Sequence, residues 1–155
     1  MPIKRILVPI DFSKDSLSAL AFATDFAASF DAEMTLLHVV EPIYYATPVD
    51  MYTANANLAT LIDEQRRMAE EHFTRLVASM KKKGRRARAI IKTGPPSQVI
   101  VDSAKKERAD MIIMATHGRT GLAHMFMGSV AEKVVRAAAC PVLTVRGTKR
   151  SSKKR

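Results

Sequence analysis

The residues best placed for chemistry in this chain are two glycines and a serine. Gly118 and Gly128-Ser129 lie between an apolar run, Met111-Ile-Ile-Met-Ala115, and a segment whose valines at 130, 134 and 135 share one helical face. A short run that is apolar throughout suits a strand buried on both faces, as in a parallel sheet. Thr116-His117-Gly118-Arg119-Thr120-Gly121 then reads as a loop, and Gly128-Ser129 opens a helix. Strand, glycine loop and helix start are the parts of a phosphate site. Loop amides can point at an anion where no Cβ blocks its approach, and the helix end adds partial positive charge. Turns need glycine too, so the glycines alone serve a plain loop equally well. The Walker pattern is absent, because no lysine follows Gly128 to reach a terminal phosphate. The dinucleotide fingerprint is absent as well, since its glycines sit closer together.

Ala115-Thr-His-Gly118, nine residues and then Gly128-Ser129 resemble the ATP-binding signature of the universal stress protein family. That signature is glycine, two residues, glycine, nine residues, then glycine followed by serine or threonine. The flanks resemble the family too: Ile6-Leu-Val-Pro9-Ile10-Asp11-Phe-Ser13, Leu37-His38-Val39-Val40 and Cys140-Pro141-Val-Leu-Thr-Val145. The resemblance covers roughly residues 3–146. One position departs, because the first signature glycine is Ala115. The resemblance implies a stress-response protein that binds an adenine nucleotide (ATP) and acts as a dimeric sensor or regulator. It implies a site drawn from Pro9, Ile10 and Asp11 after the first strand, with Val39 or Val40 against the adenine. Met114, Ala115, His117, Gly118 and Arg119 would follow the fourth strand, and Gly128, Ser129 and Val130 would open the last helix. Mg2+ would arrive with the phosphates.

The resemblance further implies a homodimer through the last strand, Pro141-Val-Leu-Thr-Val-Arg146, an uncovered apolar edge of the kind that seeks a partner. The alternative is a nucleotide-free dimeric protein-interaction module of the same fold, with Ala115 as its best argument. A dedicated hydrolase lacks its parts: there is no Gly-x-Ser-x-Gly elbow and no recognisable nucleophile, and Cys140 before Pro141 reads as core. Binding, with at most slow ATP hydrolysis, is what the residues support. His38, His72, His117 and His124 show no metal-ligand spacing. Asp11 has two readings, a turn residue bonding its own backbone or a ligand at a strand end, where open α/β sheets place ligands.

The positioning elements follow in order. Residues 3–10 form a first strand ending near Val8 and Pro9, and Ser13 caps a helix over 14–30 with Leu17, Leu20, Ala21, Thr24 and Ala28 along one side. A second strand spans 33–40. The stretch 41–57, with Pro42, Pro48 and tyrosines 44, 45 and 52, reads as irregular: a lid, an interface loop or a mobile link. Leu58, Leu61, Ile62, Ala69, Phe73, Leu76, Val77 and Met80 give a helix over 58–80 that Gly84 stops. A third, edge-like strand covers 87–92, and Gly94-Pro95-Pro96-Ser97 leads into a helix burying Val99, Ile100, Ser103 and Ala104. Alternating strands and helices predict an α/β fold with a doubly wound parallel sheet. The resemblance implies five strands in the order 3-2-1-4-5 with helices on both faces, in one domain over 1–146.

At 155 residues, with 47% apolar and 26% charged, the chain has an ordinary globular balance and can bury a sizeable core. The net charge of +10 invites a nucleic-acid reading, but six cations crowd residues 146–155, leaving +4 over residues 1–145. The tail 147–155 reads as a disordered basic appendage. Lys81-Lys82-Lys83-Gly84-Arg85-Arg86 lies where cations complement a helix end, so a solvated helix end is preferred to a binding patch. Specific nucleic-acid binding is therefore not expected. No apolar run approaches a membrane span, Asp11 and Asp15 interrupt any secretory signal, and the lone Cys140 fits a reducing cytoplasm.

Overall fold

The computed structural model describes residues 2–41, 51–117 and 127–146, with 51–58 described by backbone alone. The elements are β1 (Arg5–Pro9), α1 (Lys14–Phe30), β2 (Glu33–Val40), α2 (Met51–Lys82), β3 (Ala87–Thr93), α3 (Pro96–Lys106), β4 (Met111–Ala115), α4 (Ser129–Ala137) and β5 (Val142–Val145). All five strands are parallel, in the order β3-β2-β1-β4-β5. The expected order is therefore the observed one. Sequence order reverses at β1, so β1 and β4 are neighbours although a hundred residues separate them.

Alternation along the central strands builds two cores. Ile6, Val8, Leu36 and Ile113 face α1 and α2, where Ala23 and Phe73 meet them. Leu7, Leu37 and Ile112 face α3 and α4, against Ile100 and Val134. Both faces are covered, which is why β1 reads as a continuous apolar run. Asp110 sets the β1–β4 register from below. Its Oδ2 accepts the amides of Lys4 at 2.9 Å and Arg5 at 2.8 Å, and its own amide donates to the Arg5 carbonyl at 2.8 Å. Ile6 is thereby held opposite Met111.

Three helices differ from expectation. The cap is as read, since Ser13 Oγ accepts the Ser16 amide at 3.2 Å, but α1 buries Ser16, Ala19, Leu20, Ala23 and Ala27. Leu17 is 41% exposed, and Ala21 and Ala28 face outward. The alanine side lets α1 lie close on the sheet, so small residues rather than large ones mark the buried face. Helix α2 starts at Met51, inside the stretch read as irregular. Its 32 residues span about 48 Å at 1.5 Å each, against about 26 Å for the eight of β2. The N-terminal turns therefore overhang the C-terminal edge of the sheet, leaving Leu61 exposed while Ala69, Phe73 and Met80 are buried. In α4, Val135 is exposed and Ala131 takes its place beside Val134. At the end of α2, Gly84 takes φ +69° and donates to Lys81 O while Arg85 donates to Met80 O, closing the helix.

Candidate functional site

The C-terminal ends of β1, β2 and β4 surround a cleft of about 340 Å³ at the switch point, where open α/β sheets hold ligands. The turn leaving β1 is built with care. The Ile10 amide donates to Leu37 O at 2.8 Å, and Ile10 O lies 2.7 Å from Nδ1 of the buried His38. Phe12 follows with φ 64°, a left-handed conformation costly for an aromatic residue. Its ring is held among His38, His72 and Phe73, with centroids at 4.9, 5.0 and 5.3 Å. This kink brings Asp11 to the cleft and Ser13 to its capping position. Asp11 Oδ1 also accepts the Ser13 amide at 3.0 Å, as the turn reading has it, and the same residue lines the cleft.

The opposite wall comes from β4 and α4. Thr116 Oγ1 and His117 Nδ1 are 3.0 Å apart, and the Gly128 amide donates to Thr116 O at 2.7 Å. This bond pins the start of α4 against the end of β4. A Cβ on Gly128 would meet that same oxygen at 3.2 Å, so glycine here answers to a close approach. Helix α4 begins at Ser129 with its first amides at the cleft, the disposition that favours an anion.

The structure brings together Pro9, Ile10, Asp11, Val39, Met114, Ala115, His117, Gly128, Ser129 and Val130 along this cleft. Val40 is not a lining residue: it is 1% exposed, and its carbonyl accepts the Gly94 amide. Gly118, Arg119 and His124 lie outside the described residues, as do the tail 147–155 and most of the stretch after β2. Residues that sequence reasoning missed include Ser16, Glu41, Gln65, Pro96, Thr116 and Ala131. Gln65 arrives on the overhanging turns of α2, a placement no local signal announces. His38, read as structural, is both a buried support and part of the wall.

Asp11 and Glu41 bring negative charge, and among the described residues no lysine or arginine lines the cleft. Nor does any group of three or more His, Cys, Asp or Glu gather there as a metal site among those residues. The Cys140 thiol, half-buried beside the α4 core, is pushed up by burial and is a poor nucleophile. Among the described residues no helix is long and apolar enough to cross a membrane.

Known proteins share this architecture. Residues 2–146 match the Universal stress protein family. Universal stress protein MJ0531 of Methanocaldococcus jannaschii is 33% identical over 147 residues, covering 95% of this chain and 84% of its own. Universal stress protein UspA from Lactobacillus plantarum superposes with a TM-score of 0.84 at 26% identity, covering 94% of this chain and 99% of that one. A universal stress protein from Archaeoglobus fulgidus, solved in complex with dAMP, shares the fold at 24% identity and a TM-score of 0.64, covering 93% and 98%. By this match across nearly its whole length, the chain belongs to the universal stress protein family.

Proposed function

We propose that this protein binds an adenine nucleotide, ATP in the first instance, in the switch-point cleft and acts as a dimeric stress-response sensor or regulator. The observation that carries the reading is the Gly128 contact. A glycine amide tied to Thr116 O fixes the first turn of α4 at the cleft, where its amides serve phosphates, while Asp11 faces the other end as acceptor for ribose hydroxyls. Val39 supplies apolar surface for the base. The proposal includes Gly118 and Arg119 as phosphate-binding residues, and Mg2+ comes with the phosphates rather than with a preformed set of ligands. The A. fulgidus protein with dAMP supports the reading, since its fold holds an adenine nucleotide.

Dimerisation through β5 belongs to the same proposal. The strand stands at the sheet edge and carries no charge. Helices α1 and α4 both touch β5. Sedimentation should give twice the chain mass at micromolar concentration, and a single-chain mass would refute it.

A specific observation favours the second reading, a nucleotide-free interaction module. Ala115 replaces a glycine at the cleft, and the described lining holds acids without lysine or arginine. One experiment separates the two: mass spectrometry of small molecules released from purified protein, then calorimetry with ATP, ADP and AMP. Nucleotide release or saturable micromolar binding supports the first reading. Absence of both at millimolar nucleotide overturns it.

A further inference from the structure

Between Glu71 and Asp102 the chain carries no acid, while lysines and arginines recur throughout. Most of them collect where α2 ends and β3 runs along the sheet edge. Some are neutralised locally. Arg86 pairs with Asp31 at 2.8 Å, Arg88 with Glu33 and Glu107, and Lys92 donates to Ser103. Arg75, Lys81, Lys82, Lys83 and Arg85 have no ion pair among the described residues. Of these, Lys81 lines an open groove between α2 and β3, and Lys82, Lys83 and Arg85 follow it where α2 ends and the chain enters β3. Phe73, Val77, Ala87, Ala89 and Ile91 form its apolar floor, with Lys81, Arg66 and Arg88 on the rim. The one acid on the rim, Glu70, is taken by Arg66 at 3.5 Å.

β3 is paired with β2 alone, so its outer side presents backbone donors and acceptors to whatever approaches. We infer that the outer edge of β3, with this groove, docks an extended acidic segment of another protein, which adds to the sheet as a further strand. Main-chain bonds to β3 supply affinity, strand alternation sends every second, apolar side chain into the groove, and acidic residues at the end of the segment beside Ala87 meet Lys81 and the cations that follow it. A second copy of this chain does not fit, because two such edges would set like charges against each other. A nucleic acid fits less well, since the groove floor is aliphatic apart from the buried Phe73 and offers no exposed ring for a base. The nucleotide cleft plays no part in the argument.

The test titrates the full chain with a fluorescent peptide in which a run alternating Val and Thr is flanked by glutamates at both ends. Controls are the same peptide with Lys for Glu, one with Pro at its central Val positions, and a single-stranded DNA of matching charge. Hydrogen exchange of residues 87–93 is followed alongside. The acidic peptide should bind saturably and slow exchange at β3. Lys81→Glu with Lys83→Glu, both exposed positions, should weaken it about tenfold or more, with a melting shift of only about 2–4 °C from the reversed charges at the helix end. The Lys peptide should not bind, and the Pro peptide should lose about tenfold or more. Equal binding of the Pro peptide, no protection at β3, tighter binding of the DNA or no saturable binding of the acidic peptide would each overturn the inference.

Discussion

Gly128 is the point at which the cleft is most sensitive to a single side chain. Its φ of −71° suits any residue, so a substitution there meets contact rather than backbone strain. A new Cβ would lie 3.2 Å from Thr116 O and 3.7 Å from His117 Cα. The Gly128 amide already binds that oxygen at 2.7 Å, so relief must come by lengthening this bond. Alanine needs a few tenths of an ångström, and a weakened bond of this type costs about 0.5–1.5 kcal/mol. Valine adds two γ carbons and must push the start of α4 away from β4, which withdraws the first helical amides from a bound phosphate. Each charge-assisted hydrogen bond lost is worth about 1.5–3 kcal/mol, so affinity falls more than tenfold. In a chain of this size, about 1 kcal/mol shifts the melting temperature by about 2–4 °C. Calorimetric titration of ATP into the parent and both variants, with thermal melts beside it, should therefore show a small change for Gly128→Ala. Gly128→Val should lose more than tenfold in affinity with a melting shift of only a few degrees. A folded Gly128→Val protein that binds ATP as well as the parent would refute the placement of the phosphates at α4.

Three other sites give sharp expectations. Asp11→Asn keeps an oxygen for the Ser13 amide and should lose ATP affinity with little change in melting temperature; Asp11→Ala should lose both, the turn bond being worth about 1 kcal/mol. The Lys4 amide first, then Arg5, hold the Asp110 carboxyl below the usual aspartate range, against the opposing effect of burial. Its contribution is fully present above that range and is lost as pH falls through the depressed value, so Asp110→Asn should flatten the stability profile below about pH 5 in acid titrations followed by circular dichroism. Cys140, its thiol raised by burial, should react with iodoacetamide at neutral pH much more slowly in the native protein than in denaturant, as measured by mass spectrometry.

Signals confined to one element were legible in the sequence. Ser13 announces the start of α1 because a hydroxyl at that position bonds an amide three residues on, and Gly84 announces the end of α2 because the chain there needs positive φ. Burial on both faces of β1 leaves its apolar run without alternation. Signals that depend on two elements were not legible. The buried side of α1 follows from how closely the helix approaches the sheet, which makes Ala19 and Ala23 core and leaves Leu17 outside. Gln65 reaches the cleft because α2 is longer than the strands beneath it, a relation between two elements that the helical pattern over 58–80 does not show. Ala115 and Gly128 belong to one family signature and Asp11 to a flank that resembles the same family, and their meeting follows physically from β1 and β4 being neighbours.

The charge around the cleft bears on how a nucleotide would be held. A site that grips phosphate with lysines draws much of its affinity from long-range attraction, which salt screens within about 10 Å. Here the described wall offers acids at the β1–β2 side and peptide amides at the α4 side, while the cations crowd at the far end of α2 and along β3. Amide donors act only at contact, so their strength depends on position and hardly on ionic strength. That makes the 2.7 Å bond from Gly128 to Thr116 more consequential than any surface charge, because it sets where those donors point. Ala115 stands on the same wall. A methyl there would narrow the approach to a bound phosphate, yet Ala115 keeps its own backbone N–H and leaves the close backbone approach at Gly128 untouched.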